Sequence, residues 1–185
     1  MKSQSVAYDP TLTVVEAYLD IANGSLDPLE RPLVLQAAPA ALLDSSKKFL
    51  ASPSGGNIKE QMKRFPVSME LARQNLLAAW KAGVMLVTGS DAGNPLVLHG
   101  ATIQRELELW VEAGIPPAAA LQAATYNAAR FIGVGDRIGL IKEGYEANLL
   151  LVDGNPMKEI KQIESIQTVI FKGERIDRPE LFDQQ

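Results

Sequence analysis

The chain has no cysteine among its 185 residues. Disulfides, thiolate catalysis and cysteine-based zinc sites are therefore excluded. Histidine is nearly as scarce, since His99 is the only one. One histidine suffices for a nucleophile–histidine–acid system, but a histidine-rich metal centre cannot be built from this chain alone. Long apolar runs are missing too. None approaches the ~18 residues of a membrane-spanning helix, so no membrane partner is expected. The opening residues, Met-Lys-Ser-Gln-Ser-Val-Ala-Tyr, lack the apolar centre of a signal peptide. A cytoplasmic location is the expectation. Positive charge is not in excess either: the net charge of −4 leaves no basic footprint for nucleic acid. What remains is 46% hydrophobic and 22% charged, the balance of a globular chain of one domain or slightly more.

Against these absences, one stretch stands out, residues 84–93, Val-Met-Leu-Val-Thr-Gly-Ser-Asp-Ala-Gly. Its first half, Val84, Met85, Leu86 and Val87, has the length and branching of a strand buried on both faces. Its second half gathers small residues around one carboxylate, Asp91. An acid at the carboxyl end of a buried parallel strand is where α/β barrels place their chemistry. Asp91 then reads as a metal ligand, a general base or both. It reads equally as an Asx-turn or the N-cap of the next helix. A phosphate cradle is disfavoured, because no Lys or Arg flanks the turn and Asp91 would repel the anion.

The surrounding signals alternate. Residues 5–8 form a short strand candidate, broken by Asp9-Pro10. Thr13 and Glu16 fit a capping box, with Val15, Leu19 and Ala22 on the buried face of the helix that follows. Asn23-Gly24 stops that helix. Residues 26–56 read as an excursion over a barrel mouth or a set of short helices, Ser52-Pro53-Ser54-Gly55-Gly56 as a loop, and residues 57–83 as a helical region interrupted near Pro66. Met69, Ala72, Leu76 and Trp80 share a helical face that ends at Gly83. After the Asp91 turn, residues 101–113 place Ile103, Leu107, Trp110 and Val111 on one face and acids on the other. Residues 118–131 form an alanine-rich helix with Leu121, Ala124, Ala128 and Phe131 on one side. From Gly133 onward, glycines punctuate short strands at 148–152 and 166–171, with a hairpin turn at Lys172-Gly173. Helix, glycine, buried strand, polar turn, helix is the order of a parallel-sheet protein. The expected division is 1–135 for this α/β part and 136–185 for a small β layer.

Four features in this order resemble the carboxyl-terminal part of metal-dependent amidohydrolases, in the imidazolonepropionase-like and prolidase-like branches. The stretch from Ala82-Gly83-Val84 to Gly89-Ser90-Asp91-Ala92-Gly93 resembles the last barrel strand. His99-Gly100 followed by residues 106–114 (Glu-Leu-Glu-Leu-Trp-Val-Glu-Ala-Gly) is the second feature. Residues 117–130, containing Ala123-Ala124-Thr125-Tyr126-Asn127-Ala128-Ala129-Arg130, are similar to the family's alanine-rich helix. Residues 139–156 resemble the return strand of its outer β-sandwich, with Asn148 where the family usually has Asp. Upstream, Tyr8-Asp9-Pro10-Thr11-Leu12 resembles the end of the seventh barrel strand.

The resemblance implies an α/β fold, the carboxyl-terminal portion of a (β/α)8 TIM-type barrel with short strands of the accompanying β-sandwich. A whole barrel takes ~250 residues, so this chain accounts for about two of eight strands. The implied activity is metal-dependent hydrolysis of a C–N bond in a small molecule: an amide, a cyclic amide or a dipeptide. The implied cofactor is a divalent metal, zinc by preference, in the intact family member. In that setting Asp91 binds the metal, takes a proton from the attacking water and returns it to the leaving nitrogen. His99 lines the substrate pocket or simply bonds backbone at a helix start. The family's other ligands, a His-x-His pair, a bridging Lys or carboxylate and two further histidines, belong to strands this chain does not supply. The 185 residues alone are thus expected to be an inactive carboxyl-terminal fragment that retains no metal. They are expected to associate with themselves or with the missing barrel half. The alternative is a non-catalytic half-barrel scaffold.

Overall fold

The computed structural model describes residues 6–177. Ser5, expected to begin a strand, lies outside them. Tyr8 keeps part of that expectation, because it bridges Leu86 in parallel. Its N–H donates to the Met85 carbonyl at 2.9 Å, and Val87 N–H donates to the Tyr8 carbonyl at 3.1 Å. Leu86 and Val87 are buried, while Val84 and Met85 are only half-buried. The stretch is thus an extended segment with one bridge, short of the continuous buried strand expected from its composition. Its second flank explains this. There Asn127 Nδ2, a side-chain amide, donates to the Leu86 carbonyl at 2.9 Å in the place of a neighbouring strand.

Helix α1 (Leu12–Asn23) corrects the capping-box expectation. It starts ahead of Thr13, with Thr11 at the N-cap in the left-handed region (φ 43°) and no side-chain cap of its own. The cap comes from far along the chain. The Glu106 carboxylate accepts the Leu12 amide at 2.8 Å and the Thr13 amide at 2.7 Å. Glu16 is consequently free of the box and pairs with Arg105. Because Glu106 docks the helix, the buried face is Leu12, Thr13, Ala17 and Ile21, while Val15, Leu19 and Ala22 are half-exposed. Gly24, at φ 76°, closes the helix with its N–H on the Ile21 carbonyl.

The excursion is helical throughout: α2 (Asp27–Glu30), α3 (Pro32–Ala37), α4 (Ala40–Ala51) and α5 (Pro53–Arg64). The expected loop at 52–56 is a corner that starts α5. Ser52 Oγ accepts the Gly55 amide at 3.2 Å, and Pro53 sits in the first turn, where no donor is needed. Gly55 is buried because a side chain there would run into the Phe49 and Leu50 carbonyls. A Gly-rich composition here marks close helix packing, which local propensity does not distinguish from a loop. This layer forms its own cluster, with Ala17, Ile21, Leu29, Leu33, Val34, Leu43, Leu96, Val97 and Ala101.

Helix α6 (Met69–Lys81), capped by Ser68 on the Leu71 amide at 3.2 Å, follows as expected. Helix α7 (Thr102–Glu112) does not have the expected acidic solvent face. Glu106 and Glu108 are buried along with Leu107, Leu109 and Trp110, so α7 is enclosed nearly all round. Helices α8 (Pro117–Gln122) and α9 (Ala128–Phe131) are joined by a π turn, Ala123–Asn127. The wider turn shifts the helix face. Leu121 and Ala124 pack against the main core as expected, Ala120, Ala123 and Ala129 are buried more deeply, and Phe131, beyond the π turn, is 60% exposed. Leu12, Leu76, Leu86, Leu107, Trp110 and Ala120 meet in the main core.

Strands β1 (Leu149–Val152), β2 (Ile166–Phe171) and β3 (Glu174–Ile176) form an antiparallel sheet in the order β1-β2-β3. Lys172 and Gly173 both have positive φ, 51° and 85°, which suits a two-residue hairpin turn. Asn148 Oδ1 accepts the Lys172 amide at 2.8 Å, a structural role. Among the described residues no helix is long and apolar enough to cross a membrane.

A charged layer lines one side of α1 and α7. Arg105 pairs with Glu16, Glu108 and Glu112. Asp20, beside this layer, is pushed up to about 6 by burial and by the charges of Glu16 and Asp27, against the pull of Arg105. The folded chain therefore holds more protons here than the unfolded one between about 3.8 and about 6. Stability should fall as pH rises through that window. Asp20→Asn should flatten that slope and stabilise the chain at pH 7 by on the order of 1 kcal/mol after solvent screening. Urea unfolding from pH 4 to pH 7 measures it; an unchanged slope in the variant would refute the assignment.

Candidate active site

Two chain segments run in parallel to the same end of the fold. One is Tyr8, continuing into Asp9. The other is Leu86-Val87, continuing into the 88–94 turn. Parallel pairing brings both polar ends together, and Asp9 Oδ1 accepts the Gly89 amide at 2.9 Å. The next residue is tied as well, since the Thr13 hydroxyl donates to the Ser90 carbonyl at 3.3 Å. Asp91 itself adopts φ 51°, a left-handed conformation that Asp tolerates better than most residues. Its carbonyl accepts Asn94 Nδ2 at 2.9 Å, and Asn94 Oδ1 in turn accepts the Tyr18 hydroxyl at 3.0 Å. The Tyr18 ring packs edge-on against Phe65, with centroids 6.0 Å apart. The turn is thus fixed by side chains from α1, from the segment before it and from its own Asn94.

The Asp91 residue is exposed, so its carboxylate is reachable. Next to the turn, the Thr88 hydroxyl is buried and has no hydrogen-bond partner among the described residues. Asp9 keeps an exposed flank, yet its carboxyl is raised above the usual range. Partial burial is the main cause. The amides of Gly89 and Thr11 pull the value down, and the negative charge of Asp91 adds to the rise.

His99 is exposed in the turn ahead of α7. Asp9, not His99, is the residue the structure sets against the Asp91 turn. In the sequence Asp9-Pro10 reads as a strand breaker and, within residues 8–12, as the resembled end of the seventh barrel strand, with no site role for Asp9 itself. The signal was available, because an acid at the end of a parallel neighbour obeys the same logic as Asp91. Thr125 and Asn127 act as packing residues: Thr125 Oγ1 donates to the Leu121 carbonyl at 2.7 Å, and Asn127 supports Leu86.

The donor set is short for a metal. Among the described residues no group of three or more His, Asp or Glu side chains could hold an ion. A catalytic zinc keeps about three protein ligands. Asp91, with Asp9 at most, does not fit a complete centre. On the far flank of the 84–87 stretch lies a hollow of about 220 Å³, lined by residues that include Trp80, Val84, Leu86 and Asn127.

Comparison with known proteins places these features. The profile of the amidohydrolase family matches residues 37–176. An ochratoxinase from Aspergillus niger is 32% identical over 134 residues, covering 69% of this chain and 26% of the relative. An adenine deaminase from Methanothrix thermoacetophila is 37% identical over 95 residues, covering 51% of this chain and 15% of the relative. A putative prolidase from Bifidobacterium longum superposes with a TM-score of 0.61 at 28% identity, covering 94% of this chain and 35% of that one. A Xaa-Pro dipeptidase with methionine bound in its active site shares the fold, with a TM-score of 0.65 at 24% identity over 96% of this chain and 36% of that one. The chain spans about a quarter of the length of the ochratoxinase it matches.

Proposed function

The chain belongs to the amidohydrolase family, in its prolidase-like branch, and from that premise we propose that it is the carboxyl-terminal part of a metal-dependent C–N hydrolase in which Asp91 is the catalytic carboxylate. The observation that carries the proposal is the reachable Asp91 side chain on a braced left-handed turn, at the shared end of two parallel segments. In a (β/α)8 barrel this is the end that holds the chemistry. The two segments are read as two neighbouring barrel strands, residues 1–135 as the barrel part, and residues 136–185 as part of an outer β layer. The substrate class is a small amide, cyclic amide or dipeptide.

Asp91 takes a proton from the water that attacks the carbonyl carbon. As the C–N bond breaks, it returns that proton to the leaving nitrogen, so it ends unchanged. Such acid–base help contributes roughly 10²–10⁴-fold. His99 is read as a pocket residue that affects substrate binding. Amidohydrolases are generally metal-dependent, and zinc is the metal proposed for the assembled site. The ligands lacking here are read as coming from the polypeptide that makes up the rest of the barrel. Exposed apolar side chains favour such pairing, or self-association, over an isolated monomer. Ile141 is 92% exposed, Leu151 62% and Phe171 54%.

The 185-residue chain, dialysed after exposure to zinc, should retain well under one equivalent and show no turnover of N-acyl amino acids or Xaa-Pro dipeptides. Light scattering of the same sample should show association. Stoichiometric zinc with chelator-sensitive hydrolysis would mean that these residues hold a complete site, contrary to this reading.

A further inference from the structure

We propose that Asp9 is a positioning residue for Asp91: its carboxylate holds the Gly89 amide and thereby sets the turn that presents the Asp91 side chain, an inference that rests on Asp91 being the catalytic carboxylate. The first observation is the bond itself, Gly89 N–H to Asp9 Oδ1 at 2.9 Å, made across 80 residues of sequence. The second is space. Gly89 is not among the glycines with positive φ, so its backbone does not demand glycine. A side chain there would instead collide with Asp9 Oδ2 and approach Asp9 Cγ to 3.2 Å. Gly93 is the opposite case, with φ 105° and nothing within 4 Å of an added Cβ. The two glycines of one turn thus serve different ends: Gly93 supplies a backbone conformation, whereas a side chain at 89 would displace the Asp9 carboxylate.

The third observation is that the hold is continuous. Asp9 takes the amide of Gly89, Thr13 the carbonyl of Ser90, and Asn94 the carbonyl of Asp91. Asp91 sits at φ 51°, a left-handed conformation that Asp tolerates and that these bonds hold in place. Two of the three bonds come from residues 9–13, which Glu106 anchors to α7 through Leu12 and Thr13. Asp9 thus links the docked start of α1 to the turn that carries the reacting group.

The test uses Asp9→Ala, Asp9→Asn, Gly89→Ala and the Asp9→Ala/Gly89→Ala double variant. In the 185-residue chain, amide hydrogen exchange at Gly89 should quicken about 10-fold in Asp9→Ala and Gly89→Ala, as for the loss of one hydrogen bond. Asp9→Asn, whose amide oxygen can accept the same bond, should exchange close to the parent. In the assembled hydrolase, Asp9→Ala should lower kcat about 10-fold with KM within about 2-fold. The double variant should be no slower than either single one, since both break one contact. Unchanged exchange at Gly89, or additive losses in the double variant, would overturn the proposal. So would Asp9→Asn being as slow as Asp9→Ala with Gly89 still protected, because the charge and not the bond would then matter. An Asp91→Asn enzyme that keeps full turnover while Gly89 exchange responds as expected would instead sink the catalytic reading of Asp91, and this inference with it.

Discussion

Replacing Asp91 by Asn should lower kcat in the assembled hydrolase by at least about 100-fold, the lower range for losing a general base. The substitution is unusually clean at this site. Asn shares with Asp the ability to occupy the left-handed region, so the φ of 51° is no obstacle. The Asn94 bond goes to the Asp91 carbonyl, not to its side chain, so the turn keeps its brace. What disappears is the charge and the proton-accepting oxygen. Unfolding midpoints of parent and variant should agree, and metal content should be compared in both. His99→Ala, by contrast, should act mainly on KM, as expected for a residue that lines the pocket. If kcat of Asp91→Asn stayed within a few-fold of the parent at equal metal content, Asp91 would be a turn residue and nothing more.

The elements most legible in the sequence were those whose signals are local. The Lys172-Gly173 hairpin and the stop at Gly24 depend on a few adjacent residues, and each appears where its residues predict. The Asp91 turn was legible for the same reason. The failures share a different cause. The start of α1 is decided by Glu106, whose carboxylate lies 94 residues from Leu12, and no window around Thr13 contains it. Residues 52–56 look like a loop because serine and glycine suit loops, yet Gly55 is there to let α5 pass close to the carbonyls of α4. The π turn at Ala123–Asn127 adds to the helix repeat, so a strict 3.6 pattern picks the wrong face beyond it. Val84 to Val87 has the composition of a central strand, but composition does not reveal that Asn127 would occupy its second flank. Asp9 was legible in principle and was missed, since its meaning depends on Tyr8 lying beside Leu86.

The largest stability effect should come from Glu106. This residue is fully buried, and its two oxygens accept three N–H groups: Leu12 and Trp110 Nε1 on Oε1, both at 2.8 Å, and Thr13 on Oε2 at 2.7 Å. Burial raises its carboxyl above the ordinary value, and the three hydrogen bonds pull it back. In Glu106→Ala the donors lose their acceptor in a dry core. Each unsatisfied donor costs about 1–3 kcal/mol, so the expected loss is about 3–5 kcal/mol once some relaxation is allowed. That is a large part of the whole stability of a typical domain, so the variant should unfold at much lower urea. Glu106→Gln should cost less, about 1–3 kcal/mol. Its oxygen can still take Leu12 and Trp110, while its amide nitrogen faces the Thr13 donor. The same pair gives a pH signature. Because the folded carboxyl binds its proton more tightly than the unfolded one, ionisation costs stability as pH rises above about 4.5. Glu106→Gln, neutral throughout, should lose that component of the slope, leaving the part due to Asp20 and the other raised carboxyls, Asp9 and Glu164. Urea unfolding of parent, Gln and Ala variants between pH 4 and pH 7 would measure both effects. Equal midpoints for parent and Glu106→Ala would show that the start of α1 does not depend on this carboxylate, and that the anchor behind Asp9 and Thr13 lies elsewhere.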